Sequence, residues 1–297
     1  MSKKILITGA FGQLGDSTIL ELQPHFEIIA SGKKTPQINN YPCKYINLDI
    51  TSKNQVGEII NIYLPDIIVH LAATTNVDLC ETNKDLAWNN NVKATENILY
   101  HIRGSKCKII FISTDYIFDG SSGPYSELDQ PNPINYYGKT KLAAENIIRG
   151  SAQPWVILRT NVLYGNSYLN KASFVKWIID SLSNKEKIKV VNDQFGNPTW
   201  TAALSEAIKI SMVMNVNDIF HYGGSEFISR FEFAKKIANI FNLDSSLIIP
   251  IKTDDLNQKA KRPLKSGLIT SKIEEVLGIR TYNLNYCLSK VKNGIVG

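Results

Sequence analysis

The sequence has 297 residues, of which 43% are hydrophobic and 20% are charged, and its formal net charge at pH 7 is +6. A chain of this length can form one large or two coupled domains, and this composition is typical of a soluble globular protein. The positive charges form no block long enough to bind nucleic acid, and no apolar run has the length of a membrane span. We therefore predict neither nucleic acid nor membrane as a partner, and the mild positive charge suits an anionic small ligand.

The cysteines bear on the cellular compartment. Cys43, Cys80, Cys107 and Cys287 are scattered along the chain, with neither metal-ligand spacing nor a dense disulfide pattern. They indicate reduced thiols, so we expect a cytoplasmic protein. The first predicted strand begins within the first few residues, so we expect no signal peptide. No cluster of ligand residues predicts a metal site.

A glycine-rich turn follows the first predicted strand. Residues 4–8 form a short apolar run typical of a buried parallel strand, and Gly9, Gly12 and Gly15 precede a helical stretch that reaches Leu22. Glycines let the backbone approach a pyrophosphate closely, and the N–H groups of a helix N-terminus attract its charge. The position of this turn, between a first strand and a first helix, predicts a dinucleotide site.

The end of the second predicted strand, residues 27–30, bears on the choice of cofactor. Sites for NAD usually have an acidic residue here that binds the ribose hydroxyls, whereas this chain has Ser31, Gly32, Lys33 and Lys34. A small hydroxyl followed by two cations suits the 2′-phosphate of NADP. The pattern therefore favours NADP(H) over NAD(H), the alternative being a loop with solvated lysines.

Further apolar runs at residues 45–48, 66–71, 108–112 and 155–158 predict more buried strands. Helical stretches alternate with them, which indicates a Rossmann-like α/β fold with a doubly wound parallel sheet. In such sheets the ligand lies outside the carboxyl ends of the strands. We therefore expect one site to contain the residues found at those ends: Gly9, Asp49, Ala72, Thr114 and Thr160.

The strict alternation of strands and helices lapses after Gly165, and helical patterns follow at residues 174–182 and 230–241. This change predicts a second, smaller mixed α/β domain that binds the substrate. The predicted dinucleotide-binding domain comprises residues 1–165 and about 196–222, and the predicted substrate-binding domain comprises about residues 166–195 and 223–297.

Tyr137 and Lys141 are four residues apart, a spacing that places both side chains on one face of a helix. A free tyrosine has a pKa near ~10 and is a poor proton donor or acceptor at neutral pH. Because an ammonium group one turn away favours the phenolate, we expect Lys141 to lower the pKa of Tyr137 into the range of acid–base catalysis. The alternative is that the two residues merely share an exposed helix face.

Three motifs in this order, at residues 8–15, at residues 113–114 and at Tyr137 with Lys141, resemble those of the extended short-chain dehydrogenase/reductase family. The resemblance implies that Asn91 is the family's asparagine on the central helix and that Asp49 is its adenine-contacting aspartate. The cofactor-binding residues predicted on this basis are Gly9, Phe11, Gly12, Gln13, Leu14, Ser31, Lys33, Asp49, Ile50, Leu71, Ala72, Ala73, Thr75, Asn91, Tyr137 and Lys141.

A more specific resemblance, to the dTDP-4-dehydrorhamnose reductases, extends over nearly the whole chain and includes residues 113–120, 137–142, 193–199 and 262–266. It implies that a monomer or homodimer reduces a 4-keto-6-deoxy sugar nucleotide with NADPH, in the synthesis of a deoxysugar for a surface polysaccharide. The implied catalytic residues are Thr114, Tyr137 and Lys141. The implied substrate-binding residues are Thr75, Asp115, Asn161, Val162, Gln194, Pro198 and Arg262.

The identity of the substrate and the role of Asp115 remain open at this stage. The family usually has a tryptophan that faces the sugar where this chain has Val162, and loss of an aromatic platform changes which hexose or nucleotide is preferred. For Asp115, a structural role in capping its loop is an alternative to substrate binding.

Two other functions remain as alternatives. Sugar-nucleotide epimerases and dehydratases share the fold, but such dehydratases carry an Asp-Glu pair after the catalytic threonine, whereas Asp115 is followed here by Tyr116. The second alternative is a non-catalytic, NADP-binding regulatory subunit. The beta subunit of methionine adenosyltransferase resembles these reductases and also lacks the tryptophan.

Overall fold

A seven-stranded sheet is the centre of the computed structural model, which describes residues 2–33, 43–166 and 173–296. The strands of the described chain are β1 Lys4–Thr8, β2 Glu27–Gly32, β3 Lys44–Asn47, β4 Ile67–His70, β5 Lys108–Thr114, β6 Trp155–Thr160, β7 Leu163–Tyr164, β8 Ile188–Val191, β9 Phe195–Gly196, β10 Thr199–Trp200, β11 Asp218–Tyr222, β12 Ile228–Ser229 and β13 Ile248–Ile251.

Helices connect the strands and cover both faces of the sheet. They are α1 Gln13–Leu22, α2 Lys53–Tyr63, α3 Val77–Thr82, α4 Lys84–Trp88, α5 Ala94–Ile102, α6 Tyr136–Arg149, α7 Phe174–Ser183, α8 Thr201–Val213, α9 Arg230–Phe241, α10 Ser271–Leu277 and α11 Leu284–Val296. A π-helical turn, Asn89–Lys93, joins α4 to α5.

The strand order of the large sheet is β11-β6-β5-β4-β1-β2-β3, and every pairing in it is parallel. The chain runs outward from β1 to β3, then returns to β4 on the other side of β1 and runs outward again. The direction of winding therefore reverses between β1 and β4. In doubly wound sheets a crevice opens at this reversal, at the carboxyl ends of the strands, and holds the ligand.

The apolar strands are buried because helices pack on both sheet faces. On one face, α1 and α8 pack against the sheet, with Leu14, Leu22 and Leu204 in the shared core. On the other face, α2, α5 and α6 form a second core that includes Ile60 and Ile148. Full burial of each such side chain contributes about 1.5–3 kcal/mol, so the near-continuous apolar runs specify a sheet covered on both sides.

A separate core forms beyond the carboxyl edge of the sheet. Helices α7, α9 and α11 enclose Ile178, Phe233 and Leu288 together with residues of the paired strands β8 and β13. A capping box starts α9, since the Ser229 hydroxyl accepts the Glu232 N–H and the Glu232 carboxylate accepts the Ser229 N–H. This element group stands over the crevice and can close one side of a site.

The predicted fold class is confirmed, and one strand of the sheet was not singled out from sequence. β11 includes Asp218 and His221, which interrupt the apolar pattern, and its pairing with β6 places Arg159 beside the buried His221. Helix α8, which lies between the two predicted parts of the substrate-binding domain in sequence, packs on α1 against the large sheet. The division into two domains remains a prediction that agrees with this packing.

Candidate active site

A cavity of about 750 Å³ opens at the carboxyl ends of the strands, where β1 and β4 meet. Most predicted site residues line it, namely Gly9, Gly12, Gln13, Leu14, Ser31, Lys33, Ile50, Leu71, Ala72, Ala73, Thr75, Thr114, Asp115, Tyr137, Lys141, Asn161 and Val162. A smaller cavity adjoins it on the substrate side and includes Gln194 and Pro198 in its lining. The remaining predicted residues, Phe11, Asp49, Asn91 and Arg262, line neither cavity.

The glycine turn leaves room for a ligand backbone against the first helix. Gly9 has a φ of +68°, and a Cβ at this position would lie 2.6 Å from the backbone nitrogen of Ala72. Gly12 is the N-cap of α1 and makes no side-chain hydrogen bond to the first turn, so the N–H groups there remain available to an anion. The ring of Phe11 packs against Gly32 instead of facing the cavity. The turn fits a dinucleotide pyrophosphate.

Lys33 directly follows β2 and is one of the two lysines predicted to favour NADP(H). The Nζ of Lys33 lies 3.3 Å from an Asp49 carboxylate oxygen and 3.5 Å from the Asn90 Oδ1. Burial raises the pKa of Asp49, but hydrogen bonds from Thr51 and Lys33 outweigh it and hold the pKa below its usual value. Asp49 therefore acts on Lys33 and its own loop rather than on the cavity. Lys34 lies outside the described residues.

Asn91 holds a cavity wall in place without facing the cavity. Its Oδ1 accepts the backbone N–H of Thr74 at 2.7 Å, and its Nδ2 donates to the Thr74 carbonyl at 3.2 Å and to the Thr140 hydroxyl at 2.9 Å. The π-helical turn that contains it agrees with the poor helix propensity of three consecutive asparagines. Asn91 thus ties the loop after β4 to α6.

The three predicted catalytic side chains converge at the floor of the cavity. Thr114 ends β5, and its hydroxyl shares a hydrogen bond with the Tyr137 hydroxyl. Lys141 lies one turn after Tyr137 on α6, is 3% exposed, and places its Nζ 3.9 Å from the centre of the Phe111 ring. The Asn135 side chain caps α6 by accepting the Gly138 N–H at 2.9 Å, which fixes where the helix begins.

The expected effect of Lys141 on Tyr137 is wrong for this structure. Burial raises the pKa of Tyr137, and the hydrogen bond to Thr114 offsets only part of that rise. Burial also lowers the pKa of Lys141 to about 7, which Glu145 opposes. Both groups lose hydration in the same pocket, and this outweighs the attraction between the ammonium and the phenolate. Tyr137 is therefore protonated at neutral pH, as a proton donor must be.

Asp115 has hydrogen-bond partners that support the structural role considered for it, and substrate binding by this residue remains a prediction. It lines both cavities but is 6% exposed, and its Oδ1 accepts the Thr114 hydroxyl at 3.1 Å while its Oδ2 accepts the Ser266 hydroxyl. Burial raises its pKa, and hydrogen bonds from Ser266, Asn161 and Thr114 oppose that rise. The carboxyl group therefore links Thr114, at the end of β5, to Ser266 in the lining of the smaller cavity.

Arg262 was predicted to bind substrate, but its side chain is engaged elsewhere. Its Nη2 lies 2.9 Å from the Asp78 Oδ2, and its Nη1 donates to the Ala260 carbonyl at 2.8 Å. Asp78 also accepts the Ala260 N–H at 2.9 Å. These bonds fasten the 260–262 segment to α3, beside the cavity rather than within it.

Comparison with known proteins decides the family. The model of the RmlD substrate binding domain matches residues 3–293. The chain is 35% identical over 280 residues to the spore coat polysaccharide biosynthesis protein SpsK of Bacillus subtilis, covering 93% of this chain and 92% of that protein. A crystal structure of dTDP-4-dehydrorhamnose reductase from Bacillus anthracis in complex with NADP superposes with a TM-score of 0.90 at 32% identity, covering 99% of this chain and 100% of that one.

The chain belongs to the dTDP-4-dehydrorhamnose reductase family of extended short-chain dehydrogenase/reductases. A relative with a different name is the methionine adenosyltransferase 2 subunit beta of Bos taurus, 33% identical over 288 residues, which cover 94% of this chain and 84% of that protein. Membership therefore establishes ancestry and fold, and the activity must be argued from the site.

Several cavity residues of this reductase family member were not among the predicted site residues, and they include Arg230, Tyr116 and Ser113. Arg230, the first residue of α9, lines both cavities, and so does Tyr116. Ser113 lines the larger one, and its buried hydroxyl has no hydrogen-bond partner among the described residues. Ser113 and Tyr116 flank Thr114 and Asp115 in sequence, a signal that could have identified them. Arg230 is distant in sequence from every recognised motif.

Within the described residues, no group of three or more His, Cys, Asp or Glu side chains is arranged to hold a metal ion. In the same part of the chain, none of the helices is both long enough and apolar enough to cross a membrane. Both findings concern only residues 2–33, 43–166 and 173–296.

The pKa of Lys141 predicts a gain in stability from its removal. Its folded-state pKa of about 7 lies below the ordinary 10.5, so the folded protein binds fewer protons than the unfolded chain between these values. Stability should rise with pH across that window, and the cost of burying the ammonium is fully present below pH 7. We expect Lys141→Met to increase the free energy of unfolding at pH 6.5 by ~2–4 kcal/mol.

Urea unfolding of the ligand-free protein at pH 6.5 and pH 9.5 measures this effect. The gain should shrink at the higher pH, because the wild-type lysine is then neutral in the folded state. Lys139→Met is the matched control, since Lys139 is exposed on the same helix. A Lys141→Met protein less stable than wild type at pH 6.5 would show that the ammonium stabilises the fold.

Proposed function

We propose that this protein is an NADPH-dependent reductase of a 4-keto-6-deoxy sugar nucleotide, active in the cytoplasm as a monomer or homodimer in the synthesis of a deoxysugar for a surface polysaccharide. The observation that carries the proposal is that Thr114, Tyr137 and Lys141, the last two one turn apart on α6, line one cavity that begins at the glycine turn. A polysaccharide role also agrees with the name of the Bacillus subtilis relative.

The cavity has the features that NADP(H) requires. The glycine turn and the free N–H groups of α1 suit the pyrophosphate, and Lys33 supplies a cation near Ser31 for a 2′-phosphate. The Ser31 hydroxyl is buried and donates to the Ile7 carbonyl at 3.0 Å, which holds the end of β2 in place. When bound, NADPH supplies the hydride for reduction of a ketone. The Bacillus anthracis structure with NADP supports this choice over NAD(H).

Tyr137 supplies the proton in this scheme. Because burial keeps its hydroxyl protonated, it can donate a proton to the ketone oxygen as negative charge develops there. The Thr114 hydroxyl lines the same cavity and donates to the Asp115 Oδ1 in this structure, and by turning its proton away from that carboxylate it can donate a hydrogen bond to the same ketone oxygen. Protonated Lys141 then stabilises the phenolate that remains, within a pocket of low polarity where its charge acts strongly.

Loss of NADPH absorbance tests the proposal directly. The substrate is enzymatically prepared dTDP-4-dehydro-6-deoxy-L-hexose, and the wild-type protein should oxidise NADPH only when this sugar is added, and oxidise NADH more slowly. The product should be a deoxysugar nucleotide with a 4-hydroxyl. Absence of turnover with this sugar and with the corresponding UDP-linked and GDP-linked 4-keto sugars, despite NADPH binding, would contradict the proposed activity.

A regulatory subunit is the second candidate, and the similarity to a protein named as the beta subunit of methionine adenosyltransferase 2 favours it. On this alternative the protein binds NADP but has no turnover of its own, and it copurifies with a larger enzyme. An epimerase or dehydratase is disfavoured because Tyr116 occupies the position after Asp115, so that the second carboxylate used to remove water is absent there. An epimerase or dehydratase would be favoured instead if the sugar product contained no hydrogen transferred from NADPH.

A further inference from the structure

A cationic side chain stands where the two cavities meet. Arg230 lines both of them and is half-buried, and it belongs to α9 of the substrate-side core rather than to the sheet. Among the described lining residues, the other cations of the larger cavity are Lys33 and Lys141, and the smaller cavity has Arg230 alone. The substrate side of the site therefore has one described cation.

Several contacts hold Arg230 in this position. Its backbone N–H donates to the Gln194 carbonyl at 2.9 Å, and its guanidinium lies 5.4 Å from the centre of the Phe174 ring. Burial raises the pKa of the neighbouring Tyr116, and the positive charge of the Arg230 guanidinium opposes that rise. No carboxylate among the described residues forms an ion pair with it, so its remaining N–H groups can serve a ligand.

The position of Arg230 relative to the catalytic tyrosine suits a hexose linked to an anion. The rings of Tyr116 and Tyr137 meet edge to face with their centres 6.1 Å apart, and Tyr116 and Arg230 line both cavities whereas Tyr137 lines only the larger one. A sugar whose carbonyl faces Tyr137 would therefore direct its opposite end, the end attached to phosphate, towards Arg230.

Arg262 cannot serve this anion without giving up bonds that it already makes. Its side chain is 9% exposed and is paired with Asp78, which lies on α3. Arg230 has no such pairing and has the planar fork of donors that matches phosphate oxygens.

We infer that Arg230 binds the diphosphate of the sugar nucleotide, with the Tyr116 hydroxyl as a second hydrogen-bond partner. The inference rests on the proposed function, because it assumes a sugar-nucleotide substrate for this site. It adds that recognition of the diphosphate does not depend on Arg262 and does not depend on which base the nucleotide carries. The site should accordingly bind a nucleoside diphosphate more tightly than the monophosphate, and the monophosphate more tightly than the nucleoside.

Calorimetric titration of the NADPH-bound protein tests this order without any turnover. The probes are dTDP, dTMP and thymidine, with UDP, UMP and uridine as a second series. In Arg230→Met the affinity for the diphosphate should fall by about 10- to 100-fold, so that diphosphate and nucleoside bind almost equally. The decisive measurement is the ratio of the affinity for the diphosphate to the affinity for the nucleoside, which we call the gap. General damage to the site weakens the binding of all probes together and leaves this ratio unchanged.

Two variants provide matched controls. Lys235→Met removes one exposed positive charge from the same helix without touching either cavity, and the gap should remain as in wild type. Arg262→Met should also keep the gap, even if loss of the Asp78 pairing weakens every probe. Unchanged NADPH affinity in Arg230→Met would establish that the variant is folded.

The outcomes separate the inference from the proposed reductase activity. A gap that persists in Arg230→Met and vanishes in Arg262→Met would overturn the inference, whether or not the wild type reduces the keto sugar. A gap that vanishes only in Arg230→Met would support it even if no keto sugar is turned over. Failure of the wild type to bind any of the six probes would overturn the inference and leave NADPH oxidation to decide the activity.

Discussion

Tyr137→Phe is expected to lower kcat for the keto sugar by about 10²- to 10⁴-fold, the usual contribution of a general acid. The substitution removes the hydroxyl that shares a hydrogen bond with Thr114 and keeps the ring that packs edge to face with Tyr116. Because the ring remains, the dissociation constant of NADPH should change by less than about twofold. Steady-state NADPH oxidation and fluorescence titration with NADPH measure the two quantities on the same preparation.

Tyr136→Phe is the matched control, because Tyr136 is the adjacent residue of α6 and lines neither cavity. Its kcat should equal that of the wild type. If Tyr137→Phe retained full activity, the proton would have to come from another group, and the proposed mechanism would be wrong. If Tyr136→Phe lost as much activity as Tyr137→Phe, damage to α6 rather than loss of the acid would explain both results.

Glu145→Gln is expected to reduce the free energy of unfolding by ~3–5 kcal/mol, because it leaves the charge of Arg159 buried without a partner. The Arg159 Nη2 lies 2.7 Å from the Glu145 Oε2, and the two side chains are 2% and 0% exposed. The Arg159 Nη1 and the His221 Nε2 lie 3.3 Å apart. Burial lowers the pKa of His221 to about 3, so the neutral ring accepts at Nε2 and donates from Nδ1 to the Tyr125 carbonyl. Urea unfolding at pH 7 measures the loss.

The double variant Glu145→Leu with Arg159→Met separates the loss of the pair from the cost of an unpaired charge. It should recover most of the stability lost in Glu145→Gln, since two apolar side chains can fill the same space without buried charge. The exposed pair of Lys176 and Asp180 on α7 is the control, and Asp180→Asn should change the free energy of unfolding by less than about 0.5 kcal/mol. Equal losses at the two sites would show that burial does not govern the strength of these pairs.

The same ion pair has a consequence for the site. Glu145 lies one turn after Lys141 on α6, and its pairing with Arg159 of β6 ties this helix to the sheet. His221 of β11 and the Tyr125 carbonyl extend this set of contacts towards the 119–129 loop. The position of Tyr137 therefore depends on residues that make no contact with the cavity.

The sheet, the glycine turn and the shared helix face of Tyr137 and Lys141 could be predicted from the sequence, because each is specified by residues close together in the chain. Apolar runs that end in small or polar residues specify parallel strands covered on both faces. Gly9 is required because a Cβ there would overlap the backbone of Ala72, just after the neighbouring strand β4. The four-residue spacing of Tyr137 and Lys141 places both side chains on one side of α6. These local rules sufficed to predict the fold class and to place most predicted residues around one cavity.

Properties that depend on burial and on partners distant in sequence could not be predicted in this way and are seen only in the folded protein. Burial sets the pKa values of Tyr137 and Lys141, and the motif that contains them carries no measure of how much water surrounds them. Asp78, far away in the sequence, engages Arg262, whereas α9 brings Arg230 to the junction of the cavities. The free energy of a charge depends on its solvation and on its neighbours in space, and both are established only when the second core packs over the sheet.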